Sequence, residues 1–255
     1  MSHSQRQLKS ELGRSTSDTV TVRGFDLPQE LMGHINFGDM AFLQITGRRP
    51  APSESIIFNA MLVSLVEHGM TPSAIATRMV LAGAPEALQA AVAAGLNGLG
   101  SRFAGTMEGA ARVLQAALPD ATQPGDIKAI ANAVVEDHAA RRHFVPGIGH
   151  PLHKPIDPRA ERLRAIAQDQ GFAGPYVELM WEISASASET SGRVLPVNVT
   201  GAIGALLCEL GLDWRLARGM AVMSRAVGLV GHAWEEINTP MADEVYRRIE
   251  DEVAR

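Results

Sequence analysis

Along most of this chain the apolar positions recur every three or four residues, which is the period of a helix and not of a strand. Residues 53–68 set the pattern: Ile56, Ile57, Ala60, Met61, Ser64 and Leu65 share one helical face, behind a Ser53 cap and ahead of Gly69. Thr71 and Pro72 open the next helix as cap and first-turn proline, and Gly83 closes it. Pro85 starts another, which runs through an Ala/Leu/Val face towards Gly98 and Gly100. Further helices are predicted over 107–118, 124–142, 158–170, 174–188, 197–210, 213–236 and 240–254, with Asp213 capping the penultimate one. Strand signal is confined to 18–24, where β-branched residues alternate in a short strand or extended arm. The pattern predicts an all-α, multi-helix protein.

Composition supports that reading and narrows the function. Aromatic residues are 5% of the chain while alanine is abundant, a balance that favours helices. At 255 residues the chain can form one large domain or two modest ones. A net charge of -5 gives no electrostatic reason to bind nucleic acid or an anionic membrane. An anionic ligand would have to be held by local cations and backbone amides. Cys208 is the single cysteine, so no internal disulfide is possible, and its apolar setting predicts a buried, inert thiol. No charge-free apolar run reaches the roughly 18 residues of a membrane span, and residues 1–18 hold no apolar signal core. The expectation is a soluble cytoplasmic protein.

The densest chemistry lies in Gly147-Ile148-Gly149-His150-Pro151-Leu152-His153-Lys154-Pro155-Ile156-Asp157-Pro158-Arg159-Ala160. Glycines let backbone amides approach a ligand closely. His150 brings a proton donor to that accessible backbone. Lys154 and Arg159 supply cations for phosphate or carboxylate. The pair His150 and His153 has no nearby thiol or acid to complete a metal site, so no metal is expected.

This string resembles the Gly-x-Gly-His-x-x-x-Lys…Asp-Pro-Arg-Ala signature of the citrate synthase superfamily, which includes citryl-CoA lyases and the lyase module of ATP-citrate lyase. Weaker matches occur in the right order, from Val22–Leu27 and Phe42–Pro50 before it to Ser224–His232 after it, an Arg-x-x-Gly helix. The resemblance implies an all-α homodimer, or a higher homo-oligomer, of a citrate synthase-like fold. Each chain would have a large dimerising domain, residues 1–104 and 209–255, and a small mobile CoA-binding domain, 105–208, with the active site in the cleft between them. It implies that His150 contacts the substrate's carbonyl or hydroxyl oxygen and that Arg159, Arg225 and His68 hold the acid, oxaloacetate in the known enzymes. Lys154 would meet CoA phosphates, and the backbone of Gly147, Ile148 and Gly149 would recognise adenine. The ligands implied are coenzyme A, as an acyl-CoA, and a di- or tricarboxylate.

Three departures from the superfamily's pattern refine this. Citrate synthases place a histidine where this chain has Phe103 in Gly100-Ser101-Arg102-Phe103-Ala104-Gly105, a run like that of the ATP-citrate lyase module. The catalytic aspartate of the Asn-Val-Asp sequence is here Thr200, in Asn198-Val199-Thr200. A threonine hydroxyl is a poor base near neutrality. Where synthases present an arginine of the partner subunit in an Arg-Pro pair, this chain has Thr239-Pro240. The expectation is a carbon–carbon lyase cleaving citryl-CoA or a related 3-hydroxy-acyl-CoA to acetyl-CoA and a keto acid, with Thr200 at the proton-transfer position. A non-catalytic CoA or carboxylate binder, a condensing enzyme of the synthase type and a helical scaffold are the alternatives. Glu67 and Glu235 are conceivable substitutes for the missing acid.

Overall fold

The computed structural model describes residues 9–101, 104–150 and 153–255. Phe103, and with it the first departure from the synthase pattern, lies outside the described residues. The chain divides into two compact units, residues 1–59 and 60–255.

The first unit opens with a three-stranded antiparallel meander: β1 (Gly13–Ser15), β2 (Val20–Val22) and β3 (Phe25–Asp26). Arg14 lies opposite Thr21, and Val22 opposite Phe25. The two-residue link Arg23-Gly24 has positive φ at both positions, 50° and 86°, the twist that a tight hairpin needs. The extended segment expected at 18–24 is therefore the middle and turn of this sheet. A π-helical turn, Leu27–Leu31, leads to α1 (Phe37–Thr46). Asn36 caps α1 by accepting the Asp39 amide, and Gly47 ends it in the left-handed conformation. The unit's core is apolar and aromatic. Phe42 of α1 meets Phe58 of α2 (Pro52–Leu65) edge to face at 5.2 Å between centroids, among buried Leu31, Leu43 and Ile57. Helix α2 starts at Pro52 with no Ser53 cap; the carboxylate of Glu54 takes the Ala51 amide instead.

The second unit is helical: α3 (Pro72–Gly83), α4 (Leu88–Asn97), α5 (Gly105–Ala117), α6 (Ile127–Ala140), α7 (Pro158–Gln170), α8 (Pro175–Ser191), α9 (Val199–Glu209), α10 (Ala217–Asn238) and α11 (Ala242–Val253). Asp213 caps a 3-10 turn, Trp214–Leu216, and α10 begins only after it. The centre of this unit is α9. From Gly201 to Cys208 every residue is buried, because Gly-Ala-Ile-Gly-Ala-Leu-Leu-Cys is apolar on all sides and must be covered all round. Helices α5, α7 and α8 supply the cover. Burial pushes the Cys208 thiol up to about 12, which leaves it inert. Half-buried Glu209, at the end of α9, accepts the amides of Tyr176 and Val177 and so caps α8, whose own N-cap Gly174 has no side chain for the task. A second packing group joins α3, α4 and α10 around Leu81, Ala91 and Ala233. Among the described residues no helix is long and apolar enough to cross a membrane. The architecture is all-α apart from the small sheet.

Candidate active site

A cleft of about 620 Å³ opens in the second unit where five segments meet. The loop between α2 and α3 brings Glu67 and His68, and the loop before α7 brings Gly147, Ile148, Gly149 and His150. The first turn of α7 gives Arg159, the start of α9 gives Asn198, Val199 and Thr200, and α10 gives Arg225. Of the residues singled out from sequence, the cleft gathers His68, His150, Arg159, Thr200, Arg225 and the three of the glycine loop. Lys154 is exposed and does not line it. His68 lies three residues beyond the end of α2, so it is a loop residue and not the helix-terminal histidine expected.

The glycine loop is stitched to the start of α9. Gly149 N–H donates to the Pro196 carbonyl at 2.7 Å, and Asn198 N–H donates to the Gly147 carbonyl at 3.0 Å. Asn198 also donates from Nδ2 to the Gly149 carbonyl at 2.8 Å. The missing side chains are used for packing here. A Cβ on Gly201 would lie 2.2 Å from the Gly147 carbonyl oxygen, and one on Gly147 would lie 2.7 Å from Gly201 Cα. Gly147 also has φ +91°, which L side chains rarely adopt. The loop thus rests backbone to backbone on α9, and the Gly149 amide is committed to that contact.

Thr200 is held from the same asparagine. Asn198 Oδ1 accepts the amides of Thr200 and Gly201, and it accepts the Thr200 hydroxyl at 2.7 Å. The hydroxyl's proton is therefore directed at Asn198, which makes Thr200 neither a ready base nor a free acid.

Asp157, which the sequence reading passed over, organises the middle of the site. It has no solvent exposure and caps α7 through the Arg159 amide. Its two oxygens take Arg159 Nε at 3.1 Å and Nη2 at 2.9 Å, and one also takes the Val199 amide at 3.0 Å. Asp157 therefore fixes Arg159 and ties α7 to α9. It also engages the Nε edge of the guanidinium, leaving the Nη1 edge for a ligand.

His150 is tuned as a neutral donor. The His153 amide donates to His150 Nδ1 at 2.9 Å, so in the neutral ring the proton sits on Nε2. Burial lowers its pKa, and the charges of His153, Arg159 and His68 lower it further against the opposing pull of Asp157. The His153 ring stacks on it at 4.4 Å between centroids. Arg225 is half-buried, and its Nη1 is buried without a hydrogen-bond partner among the described residues. Burial lowers its pKa while the charge of Glu67 acts the other way. A guanidinium in that state is suited to receive an anion.

Glu67 is the one carboxylate among the described residues that line the cleft. Its Oε1 accepts the amides of His68 and Gly69 and faces His232 Nε2 of α10 at 3.2 Å. Gly228 lets this loop lie against α10, since a Cβ there would stand 2.0 Å from the Val66 carbonyl oxygen. That contact gives a physical reason for the glycine of the Arg-x-x-Gly helix. Among the described residues no group of three or more His, Cys, Asp or Glu is placed to hold a metal ion.

Comparison with known proteins agrees with the geometry. A profile of the citrate synthase C-terminal domain matches residues 19–248. The fold superposes on citryl-CoA lyase from Hydrogenobacter thermophilus with a TM-score of 0.83 and 33% identity, covering 92% of this chain and 88% of that one. It superposes on ATP citrate lyase from Methanothrix soehngenii, solved with citrate and coenzyme A, with a TM-score of 0.74 at 19% identity, over 92% of this chain and 40% of that one. A probable ATP-citrate synthase of Dictyostelium discoideum is 27% identical over 252 residues, 92% of this chain and 39% of that protein. This chain therefore spans well under half the length of that relative.

Proposed function

The chain belongs to the citrate synthase family, and from that membership we propose that it is a carbon–carbon lyase. Its substrate is citryl-CoA or a related 3-hydroxy-acyl-CoA, and its products are acetyl-CoA and oxaloacetate or another keto acid. The observation that carries this reading is the convergence of His68, His150, Arg159 and Arg225, drawn from four separate segments, on one cleft. In the cleavage, charge changes on the oxygen of the carbinol carbon as the C–C bond breaks. His150 Nε2–H is the donor that meets this oxygen. Arg225 and the free edge of Arg159, with His68, hold the carboxylates. In the glycine loop, where the Gly149 amide and the Gly147 and Gly149 carbonyls are already engaged, it is the backbone of Ile148 that receives the adenine end of CoA, and Lys154 meets its phosphates outside the cleft proper. Similarity to a citryl-CoA lyase over nearly the whole of both chains supports the lyase direction over condensation.

The proposed assembly is a homodimer in which residues 1–104 and 209–255 form the dimerising part and 105–208 the CoA-binding part. Support comes from α10. Val227, Val230, Trp234 and Ile237 are all exposed at helical spacing, Trp234 by 64%, and Tyr246, Ile249 and Val253 of α11 are exposed as well.

The test is calorimetric titration with CoA, acetyl-CoA and oxaloacetate beside an assay of citryl-CoA cleavage. Binding with release of oxaloacetate is the expected result. Thr200, bonded to Asn198, favours a second reading as a CoA- or carboxylate-binding homologue without turnover, which binding without cleavage would support. Failure to bind CoA and oxaloacetate alike overturns both.

A further inference from the structure

Four of the cleft's polar residues are excluded as the group that accepts a proton. Arg159 and Arg225 are donors only. The Thr200 hydroxyl is directed at Asn198, and His150 presents a donor from Nε2. Of the titratable side chains among the described residues lining the cleft this leaves His68 and Glu67, and only Glu67 is built into a supporting structure.

That support is a chain of buried polar groups running from the core to the cleft. Arg78 of α3, 2% exposed, donates from Nε and Nη2 to His232 Nδ1 at 3.2 and 3.0 Å and from Nη1 to Glu236 at 2.9 Å. It also pairs with Glu235. Arginine has no acceptor, so His232 Nδ1 must be a lone pair and its ring proton must sit on Nε2, facing Glu67. His232 and Glu236 are 8% and 6% exposed. A buried ionic cluster of this kind is costly unless every member is matched. It has two ends outside the core, the Glu235 carboxylate and, at the cleft, the Glu67 carboxylate, whose Oε1 accepts two backbone amides and whose two oxygens share the His232 proton at 3.2 and 3.1 Å, so that Oε2 carries the lighter load. A mere tie for the loop would need only a neutral acceptor.

We propose that Glu67 is the catalytic carboxylate that moves the proton in this cleft, in place of the aspartate whose position Thr200 occupies; this rests on the reading of the cleft as an acyl-CoA lyase site. Glu67 takes the hydroxyl proton from the carbinol carbon of citryl-CoA, breaking that O–H bond as the C–O bond becomes a carbonyl. The electron pair of the adjacent C–C bond passes to the acetyl-CoA enolate. Glu67, now a carboxylic acid, returns the proton to the enolate carbon, which becomes the methyl group. The products are oxaloacetate and acetyl-CoA, and Glu67 ends ionised as it began. Glu67 enters the cycle in the required state: burial raises its pKa, but the His68 amide, His232 and the Gly69 amide outweigh that and hold it below the ordinary glutamate range. Arg78, His232 and Glu236 are positioning residues in this scheme.

The experiment compares the wild type with Glu67→Gln and Glu67→Asp. It follows citryl-CoA cleavage and, separately, deuterium entering the methyl group of acetyl-CoA in D2O with oxaloacetate present. Glutamine preserves shape and the Oε1 acceptor but not the base, whereas aspartate preserves the base but not the shape. The expected result is a loss of roughly 10²–10⁴-fold in both rates for Glu67→Gln, with CoA affinity unchanged, and clearly more activity in Glu67→Asp. Undiminished rates in Glu67→Gln, or the reverse ranking of the two variants, overturn the proposal. So does a wild type that binds CoA but neither cleaves nor exchanges. Exchange without cleavage, abolished by Glu67→Gln, upholds Glu67 and removes citryl-CoA as the substrate.

Discussion

Asp157 serves as helix cap, arginine clamp and link to the Val199 amide, all from a position with no exposure. Burial pulls its carboxyl upward, but the Arg159 guanidinium and the amides of Arg159 and Val199 outweigh it, so its pKa lies below the usual aspartate value. The stabilisation is fully present above about pH 4, the unfolded value, and is lost as the pH falls through the lowered folded value. Asp157→Asn should cost about 3 kcal/mol at neutral pH and flatten the acid limb of a stability-against-pH curve, measured by urea unfolding between neutral and strongly acid pH. The cap itself was legible, since Asp before Pro is a helix-start signal. The bond to Val199 was not, because it joins residues 42 apart and no local spacing reports it. The same holds for Arg78 and His232, which lie 154 residues apart in sequence. Of the residues the cleft gathers, His150, Arg159 and the glycine loop stand together in the fourteen-residue signature, whereas His68, Thr200 and Arg225 come from distant segments that only the family resemblance joined to it; the residues that aim them carry no local signal.

Among the elements, α9 shows how packing decides what a glycine is for. From sequence the glycines of the 147–149 loop read as room for a ligand. Gly147 instead gives its room to Gly201. Gly201→Ala should push the loop off α9, lowering stability by about 1–3 kcal/mol through overpacking and weakening CoA binding, read by thermal melting and calorimetry. Gly219→Ala, in helix α10 where a Cβ meets nothing within 4 Å and the backbone is not left-handed, is the control for glycine loss without the clash. Long, strongly periodic helices were legible throughout. Helix α1 was not predicted, because its ten residues begin with Phe37, which is 79% exposed, and Gly38, which propensity disfavours. Its Asn36 cap and Gly47 terminus were the available signals. The predicted helix over 213–236 ran together a capped 3-10 turn and α10, since both share one apolar period.

For the molecule as a whole, the exposed apolar stripe of α10 is the feature that the second unit leaves uncovered. If two chains bury it against each other, Trp234→Glu should shift sedimentation from dimer to monomer while leaving CoA binding by each chain intact. A wild type that sediments as a monomer at micromolar concentration would refute the dimer.

The contact between Gly147 and Gly201 also sets terms for how this sequence can change over generations. A methyl group at either position meets backbone, which has nowhere to retreat, so no single substitution at one is relieved by a single substitution at the other. The two positions form a mutational dead end, and both glycines should stay fixed for as long as selection keeps the loop seated on its helix.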